Sequence, residues 1–271
     1  MTVTLADHPI RASLNFAGAG ESVGQWHNTD MKQVDQHLKP VMAEIANARA
    51  LTPLPSLERE GFTLTHNGFD VYDWFNTEWM DETYIPACVA LVQRLTGAAQ
   101  AHLYFRSVVR MADPEQRAKA NAWFPGAFVH IDLTVASAIA AVDAILGPEL
   151  LKQYPRAAIY NVWQPVSPAP HNTPLALCDQ RTLDPKDQRI GFTVNPDVPD
   201  GIPYVSTKFS QDQRWYYFPD LAPGETIVFK GVDLDERNPI GCAHSAFEHP
   251  NPVPGAQPRV SVETRVVAFF D

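Results

Sequence analysis

His130, Ile131 and Asp132, inside the stretch Gly126-Ala-Phe-Val-His-Ile-Asp-Leu-Thr134, place an imidazole and a carboxylate two residues apart in an apolar run. In a strand, side chains at i and i+2 share one face. A neutral imidazole nitrogen and a carboxylate oxygen on one face are two of the three ligands of a 2-His-1-carboxylate site. Such a site binds non-haem Fe(II) and leaves positions open for a co-substrate and dioxygen. Taken alone, the pair equally suits a hydrogen bond between the two side chains, so the metal reading needs a third ligand.

Nine histidines compete for that place. His8, His27, His37 and His66 lie in mixed or polar surroundings near the start, His102 opens a strand upstream of the pair, and His171 and His249 sit among prolines. His244 is the best placed, because an apolar strand, Gly224-Glu-Thr-Ile-Val-Phe229, precedes it and Ala243-His-Ser-Ala-Phe247 begins another. His130, Asp132 and His244 are therefore the candidate metal ligands and the candidate catalytic centre.

The last strand carries Arg259, Ser261, Glu263 and Arg265 at alternate positions, hence on one face, while Val260, Val262 and Val266 make the other face apolar. A guanidinium beside a hydroxyl is a clamp for a carboxylate, through charge-assisted and bidentate bonds. This clamp suits the distal carboxylate of 2-oxoglutarate, whose 2-oxo acid end would chelate iron; Arg259 with Ser261, or Arg265, is the candidate. Either arginine could instead pair with Glu263 or Asp271. Asn161 and Trp163 share a strand face, which makes Asn161 a candidate cofactor contact, although a strand Asn often ties a turn and Trp is usually core. Arg181 is expected to pair with Asp179 or Asp184 rather than to bind substrate.

The elements that must position these residues are mostly strands. Segments 101–111, 127–134, 157–166, 175–179, 214–218, 225–230, 243–247 and 259–270 are short, rich in β-branched and aromatic residues, and separated by Pro- and Gly-rich turns. Helical spacing appears at 31–48, 74–96 and 137–154, the last with a break expected at Gly147-Pro148. The expected fold is mainly β with helical additions, a double-stranded β-helix or jelly roll. Residues 1–98 read as an extension packed on a core of 99–271, the two forming one continuous domain. The N-terminal residues, the loop 165–174 and the segment 191–213 are expected to shape or cover the pocket.

Composition narrows the function classes. The chain has 271 residues, 45% hydrophobic and 19% charged, with a formal net charge of −10. This fits a soluble globular protein and argues against nucleic acid or an anionic membrane surface as partner, so a small molecule is the expected ligand. Three widely spaced cysteines suit reduced, buried thiols in the cytoplasm. No secretory signal pattern opens the chain and no apolar run is long enough to span a membrane. A homodimer is the default assembly. Gly-x-Ser-x-Gly, phosphate-loop, dinucleotide-turn and Cys-x-x-Cys patterns are all missing from the sequence.

The order His-x-Asp, apolar strand, lone His, Arg-x-Ser resembles that of Fe(II)/2-oxoglutarate-dependent oxygenases. Further runs sharpen the likeness: Asn161-Val-Trp-Gln-Pro165, Pro174-Leu-Ala-Leu-Cys-Asp179, Trp215-Tyr-Tyr-Phe-Pro219, His244-Ser-Ala-Phe247 and Pro258-Arg-Val-Ser-Val-Glu-Thr-Arg265. Over residues 100–271 the chain resembles the AsaB/CmcJ/NvfI-like hydroxylase/desaturase family of secondary metabolism. That resemblance implies a jelly-roll oxygenase using Fe(II), 2-oxoglutarate and dioxygen, with His130, Asp132 and His244 on the metal and Arg259 with Ser261, or Arg265, on 2-oxoglutarate. It implies hydroxylation, desaturation or oxidative cyclisation of a small natural-product or amino-acid-like substrate. The alternative is a non-catalytic, metal-binding jelly-roll accessory protein of a biosynthetic enzyme. Ile131 and Leu133 stand where the family has a polar residue and an aromatic, which implies a more apolar pocket and a compact substrate held by its polar end.

Overall fold

The computed structural model describes residues 9–20, 22–27, 37–69, 73–195, 198–251 and 254–271. Two curled sheets form the body. The larger has nine strands in the order β1 (Ile10–Ala17), β3 (Leu38–Asn47), β11 (Trp215–Tyr217), β8 (Leu175–Cys178), β13 (His244–Ala246), β6 (His130–Ile131), β10 (Val198–Thr207), β9 (Gln188–Asn195) and β2 (Ser22–His27). The smaller has five, in the order β4 (Phe62–His66), β12 (Glu225–Asp233), β7 (Arg156–Pro165), β14 (Val260–Phe270) and β5 (Gln100–Met111). Most neighbours are antiparallel; β11 with β3 and β2 with β9 are parallel. This is the mainly β, double-stranded β-helix with helical additions that the sequence implied.

Strand periodicity decides what the smaller sheet buries. In β7, Ala158, Tyr160 and Val162 face outward against Cys88, Leu91 and Val92 of helix α2 (Ile85–Thr96). The alternate residues, Asn161 and Trp163, face the other way, and Trp163 packs with Leu177 and Phe229. Covered on both faces, β7 is buried along nearly all its length, which explains its almost continuous apolar run. The helical segment before α2 starts at α1 (Thr77–Trp79), where the Asn76 side chain accepts from Trp79 N, and then widens into one π turn, Met80–Tyr84. Pro86 has no N–H for the helix ladder, and the wider turn lies just before it. Gly97, at φ 67°, ends α2 in the left-handed conformation. Helix α3 (Pro114–Ala120) follows β5. Helix α4 (Val135–Leu146), capped by Thr134 and Ser137, presses Ala138 and Val142 against Ile159, Val267 and Phe269. The break at Gly147 separates it from α5 (Pro148–Gln153), as expected.

Three expectations need correction. The helix read over 31–48 is, from residue 38 on, strand β3; residues 31–36 lie outside the described residues. Its buried residues Ala43, Ile45 and Asn47 alternate, a period of two that the Ala and Met content disguised. The strand read over 127–134 keeps ladder pairing only at His130–Ile131, because the chain turns at Thr134 into α4. Segment 191–213 is largely sheet, not a covering loop: β9 and β10 pair, and Val205 and Ser206 of β10 lie opposite Ile131 and His130. Near the N-terminus, β1 and β3 pair along their length and β4 pairs with β12, so chain from before residue 99 builds both sheets.

Candidate active site

Two histidines meet in one ladder. His244 of β13 is the direct antiparallel partner of His130 of β6, and their ring centroids lie 4.3 Å apart. Asp132 follows β6 with its Oδ1 3.8 Å from His130 Nε2. Ligand atoms of His130, Asp132 and His244 all lie within 4.8 Å of one another, so the structure assembles the predicted triad.

Each imidazole is oriented by the strand that carries it. His130 Nδ1 is 2.8 Å from the Phe128 carbonyl and His244 Nδ1 is 3.2 Å from the Cys242 carbonyl. A carbonyl can only accept, so Nδ1 carries the proton in both rings and Nε2 is left as a lone-pair donor. Phe128 stacks on His130 at 4.4 Å and Phe229 packs on His244 at 4.7 Å. Tyr204 meets His130 edge-on at 6.4 Å, and Gly191 makes room for it, since a Cβ there would fall 2.3 Å from the Tyr204 ring. Burial, and then the adjacent His244, push the His130 imidazole down to about 3, which keeps it neutral at pH 7.

Asp132 is held from two sides. Arg265 Nη2 donates to Oδ1 at 2.7 Å, and Asn161 Nδ2 donates to Oδ2 at 2.6 Å. Burial opposes ionisation, but Arg265, His244 and His130 outweigh it and hold the carboxyl below its usual range. Arg265 also reaches Glu263 Oε1 at 2.6 Å, and Arg110 Nε lies 3.4 Å from Glu263 Oε2. Arg265 is thus committed to two carboxylates. As a 2-oxoglutarate clamp it is the weaker candidate, and its pairing with Glu263 is the one the alternation had suggested.

Arg259 and Ser261 behave differently. Arg259 is 2% exposed, gives one bond to the Thr173 carbonyl, and lies 5.3 Å over Trp163. Its Nε has no partner, and neither does the Ser261 hydroxyl. Among the described residues no carboxylate lies within ion-pair distance of Arg259. Burial, with Arg110 nearby, pushes its guanidinium down to about 9. A cavity of about 260 Å³ adjoins it, lined also by Trp163, His171, Leu175, Tyr217 and Phe218. Two orphaned buried donors and an unpaired cation fit a bound carboxylate. Two imidazoles and a carboxylate fit ferrous iron equally well.

The comparisons with known proteins agree. Residues 16–269 match the model of the oxidoreductase/YMDC permease-like domain family. Oxidoreductase R2 of Phoma sp. is 30% identical over 92% of both chains. The Fe(II)/2-oxoglutarate-dependent dioxygenase nvfI of Aspergillus novofumigatus is 28% identical over 78% of this chain and 80% of its own length. A solved structure of the iron and alpha-ketoglutarate-dependent endoperoxidase NvfI superposes with a TM-score of 0.83 at 26% identity, covering 97% of this chain and 98% of that one. The chain belongs to this oxidoreductase family, among its Fe(II)/2-oxoglutarate-dependent oxygenases.

The oxygenase therefore draws on Fe(II), 2-oxoglutarate and dioxygen, and its relatives are named as catalysts, not as accessory proteins. No described helix is long and apolar enough to cross a membrane. Ile131 and Leu133 do not line a metal pocket: Ile131 packs with Leu14, Phe16 and Val205, and Leu133 against α4. Packed into those clusters, Ile131 and Leu133 give no ground for a more apolar pocket or a compact substrate. Arg181 pairs with Asp179 and with Glu60, as a structural residue. The thiols of Cys88, Cys178 and Cys242 are free and buried, and burial pushes the first two up to about 12, a direction that disfavours the thiolate. Gly126, Phe128, Tyr204 and Glu263 complete the site's surroundings. The alternation of the last strand signalled Glu263; nothing local singled out the others.

Proposed function

We propose that the oxygenase holds iron with His130, Asp132 and His244 and receives the distal carboxylate of 2-oxoglutarate at Arg259 and Ser261. The observation that carries this reading is the pair of buried, partnerless donors, Arg259 Nε and Ser261 Oγ, on the interior face of the strand whose Arg265 grips Asp132. Bound together, iron, 2-oxoglutarate and dioxygen supply an oxidation in which 2-oxoglutarate becomes succinate and carbon dioxide while a substrate C–H bond is oxidised. The protein's part is positioning. Nδ1 bonds aim both imidazoles, Asn161 and Arg265 aim the carboxylate, and Arg259 neutralises and orients the co-substrate.

The substrate is a small natural-product or amino-acid-like molecule, which the enzyme hydroxylates, desaturates or oxidatively cyclises; relatives named hydroxylase/desaturase and endoperoxidase support this range. We read residues 1–98 and 99–271 as one continuous domain, since β1, β3 and β4 are hydrogen-bonded into the two sheets. Free thiols support a cytoplasmic site of action, and a homodimer is the expected assembly.

Anaerobic addition of Fe(II) and 2-oxoglutarate tests the reading. A weak visible charge-transfer band, followed on aeration by succinate, is the expected result. A protein that binds metal but gives neither band nor succinate would defeat it.

A further inference from the structure

Asn161 and Arg265 come from neighbouring strands and stand opposite each other in the β7–β14 ladder. Both reach across the interior to Asp132, which follows β6 of the other sheet, and they take different oxygens of its carboxylate. Asn161 is fully buried, and the β12 residue beside it is Gly231, where a Cβ would lie 3.3 Å from Asn161 Oδ1. Asp132 Oδ1, the oxygen 3.8 Å from His130 Nε2, accepts from Arg265, a cation anchored on its far side by Glu263.

These contacts are unequal in consequence. A carboxylate with both oxygens free can chelate a metal through both, which consumes an extra coordination position. With Oδ2 held by the Asn161 amide at 2.6 Å, the oxygen the carboxylate turns to the histidine side is Oδ1, which accepts one bond from Arg265 and keeps a second lone pair. We propose that Asn161, with Arg265 as its cross-strand partner, is a positioning residue that restricts Asp132 to single-oxygen ligation and so preserves the coordination positions a bidentate co-substrate requires. The inference rests on the triad reading and deepens it: Asn161 serves 2-oxoglutarate binding without touching 2-oxoglutarate.

Removing the amide and removing the guanidinium then have different signatures. Asn161→Ala frees Oδ2, so metal binding persists while co-substrate binding to the metal-loaded protein weakens. Arg265→Lys keeps a cation beside Asp132 and Glu263 and keeps Oδ2 engaged, so co-substrate binding to the loaded protein is largely retained.

The experiment is calorimetric titration of the full-length metal-free protein with Mn(II), then of the Mn(II)-loaded protein with 2-oxoglutarate, for wild type, Asn161→Ala and Arg265→Lys, with folding checked by circular dichroism. For Asn161→Ala the expected result is a Mn(II) affinity within about threefold of wild type and a 2-oxoglutarate affinity weaker by about tenfold or more, about 1.4 kcal/mol. Loss of Mn(II) affinity with unchanged 2-oxoglutarate affinity in the loaded protein would overturn the proposal, and so would no change in either. If Asn161→Ala does not fold, Asn161→Ser carries the same comparison. Failure of wild-type protein to bind 2-oxoglutarate after Mn(II) would strike the triad reading itself, a result distinct from equal binding by wild type and variant.

Discussion

His130 and His244 stand directly opposite one another in an antiparallel ladder, and each donates its Nδ1 proton to the carbonyl two residues before it. Two short strands thus present matched Nε2 atoms to one point. The site is built from backbone register, with few side-chain contacts needed to aim the rings.

That tight construction makes Gly126 sensitive. A Cβ at this position would lie 2.9 Å from His130 Cε1, and the Gly126 carbonyl is tied to Ala246 N at 2.8 Å, so the backbone cannot retreat freely. Gly126→Ala is expected to displace the His130 ring, weaken metal binding, and cost about 1–3 kcal/mol as an overpacked site. Metal titration and thermal unfolding of the variant measure both effects; wild-type values in both would show that the ring has slack.

Arg259 and Arg265 should separate cleanly. Among the described residues Arg259 has no carboxylate at ion-pair distance, so Arg259→Met leaves the metal-free fold as stable as before or more so, while the 2-oxoglutarate concentration needed for half-maximal succinate formation rises by about tenfold or more. Initial rates against 2-oxoglutarate concentration give the answer. An unchanged requirement would remove Arg259 from the co-substrate site.

Arg265→Met should instead act on the fold and the metal. It takes the short cationic partner from two buried carboxylates, leaving Asp132 to Asn161 and Glu263 to Arg110 at 3.4 Å, at a cost of about 3–5 kcal/mol, the usual penalty for breaking a buried pair from one side. Adding Glu263→Gln should restore part of that loss, because one stranded charge disappears. Urea unfolding of the single and double variants checks the coupling, and strictly additive losses would refute it.

Acid should destabilise the metal-free protein. The His130 imidazole takes up its proton near 6.5 when unfolded and only at about 3 when folded, so between those values the unfolded chain binds the extra proton. Stability therefore rises with pH from about 3 to about 6.5 and levels off above. Asp132 works in the same direction at the lower end: its folded carboxyl stays ionised below the usual 3.8, so its contribution is present above that value and lost as pH falls through the folded one. Urea midpoints should drop between about pH 7 and pH 5, and less so in His130→Gln. A midpoint flat across that range would show that His130 takes up its proton alike in the folded and unfolded chain.

Much of this was legible in the order and alternation of residues. His-x-Asp and the row Arg259, Ser261, Glu263, Arg265 need only the two-residue period of a strand to share a face, and that period is a local property of the backbone. The apolar run of β7 likewise marked a buried strand. Other features were concealed for physical reasons. Pro196, Pro199 and Pro203 made the region of β9 and β10 read as loop, and Ala- and Met-rich β3 imitated a helix.

By itself, then, the sequence determined the donor types, their order and the faces they share, because those follow from side-chain chemistry and strand pitch. Which donors meet was decided by tertiary register. Only the pairing of β13 with β6 brings His244 to His130, and only the pairing of β14 with β7 sets Arg265 beside Asn161, where both bond Asp132. Contacts between distant segments depend on how two sheets close around one interior, and that closure is set by packing over the whole chain.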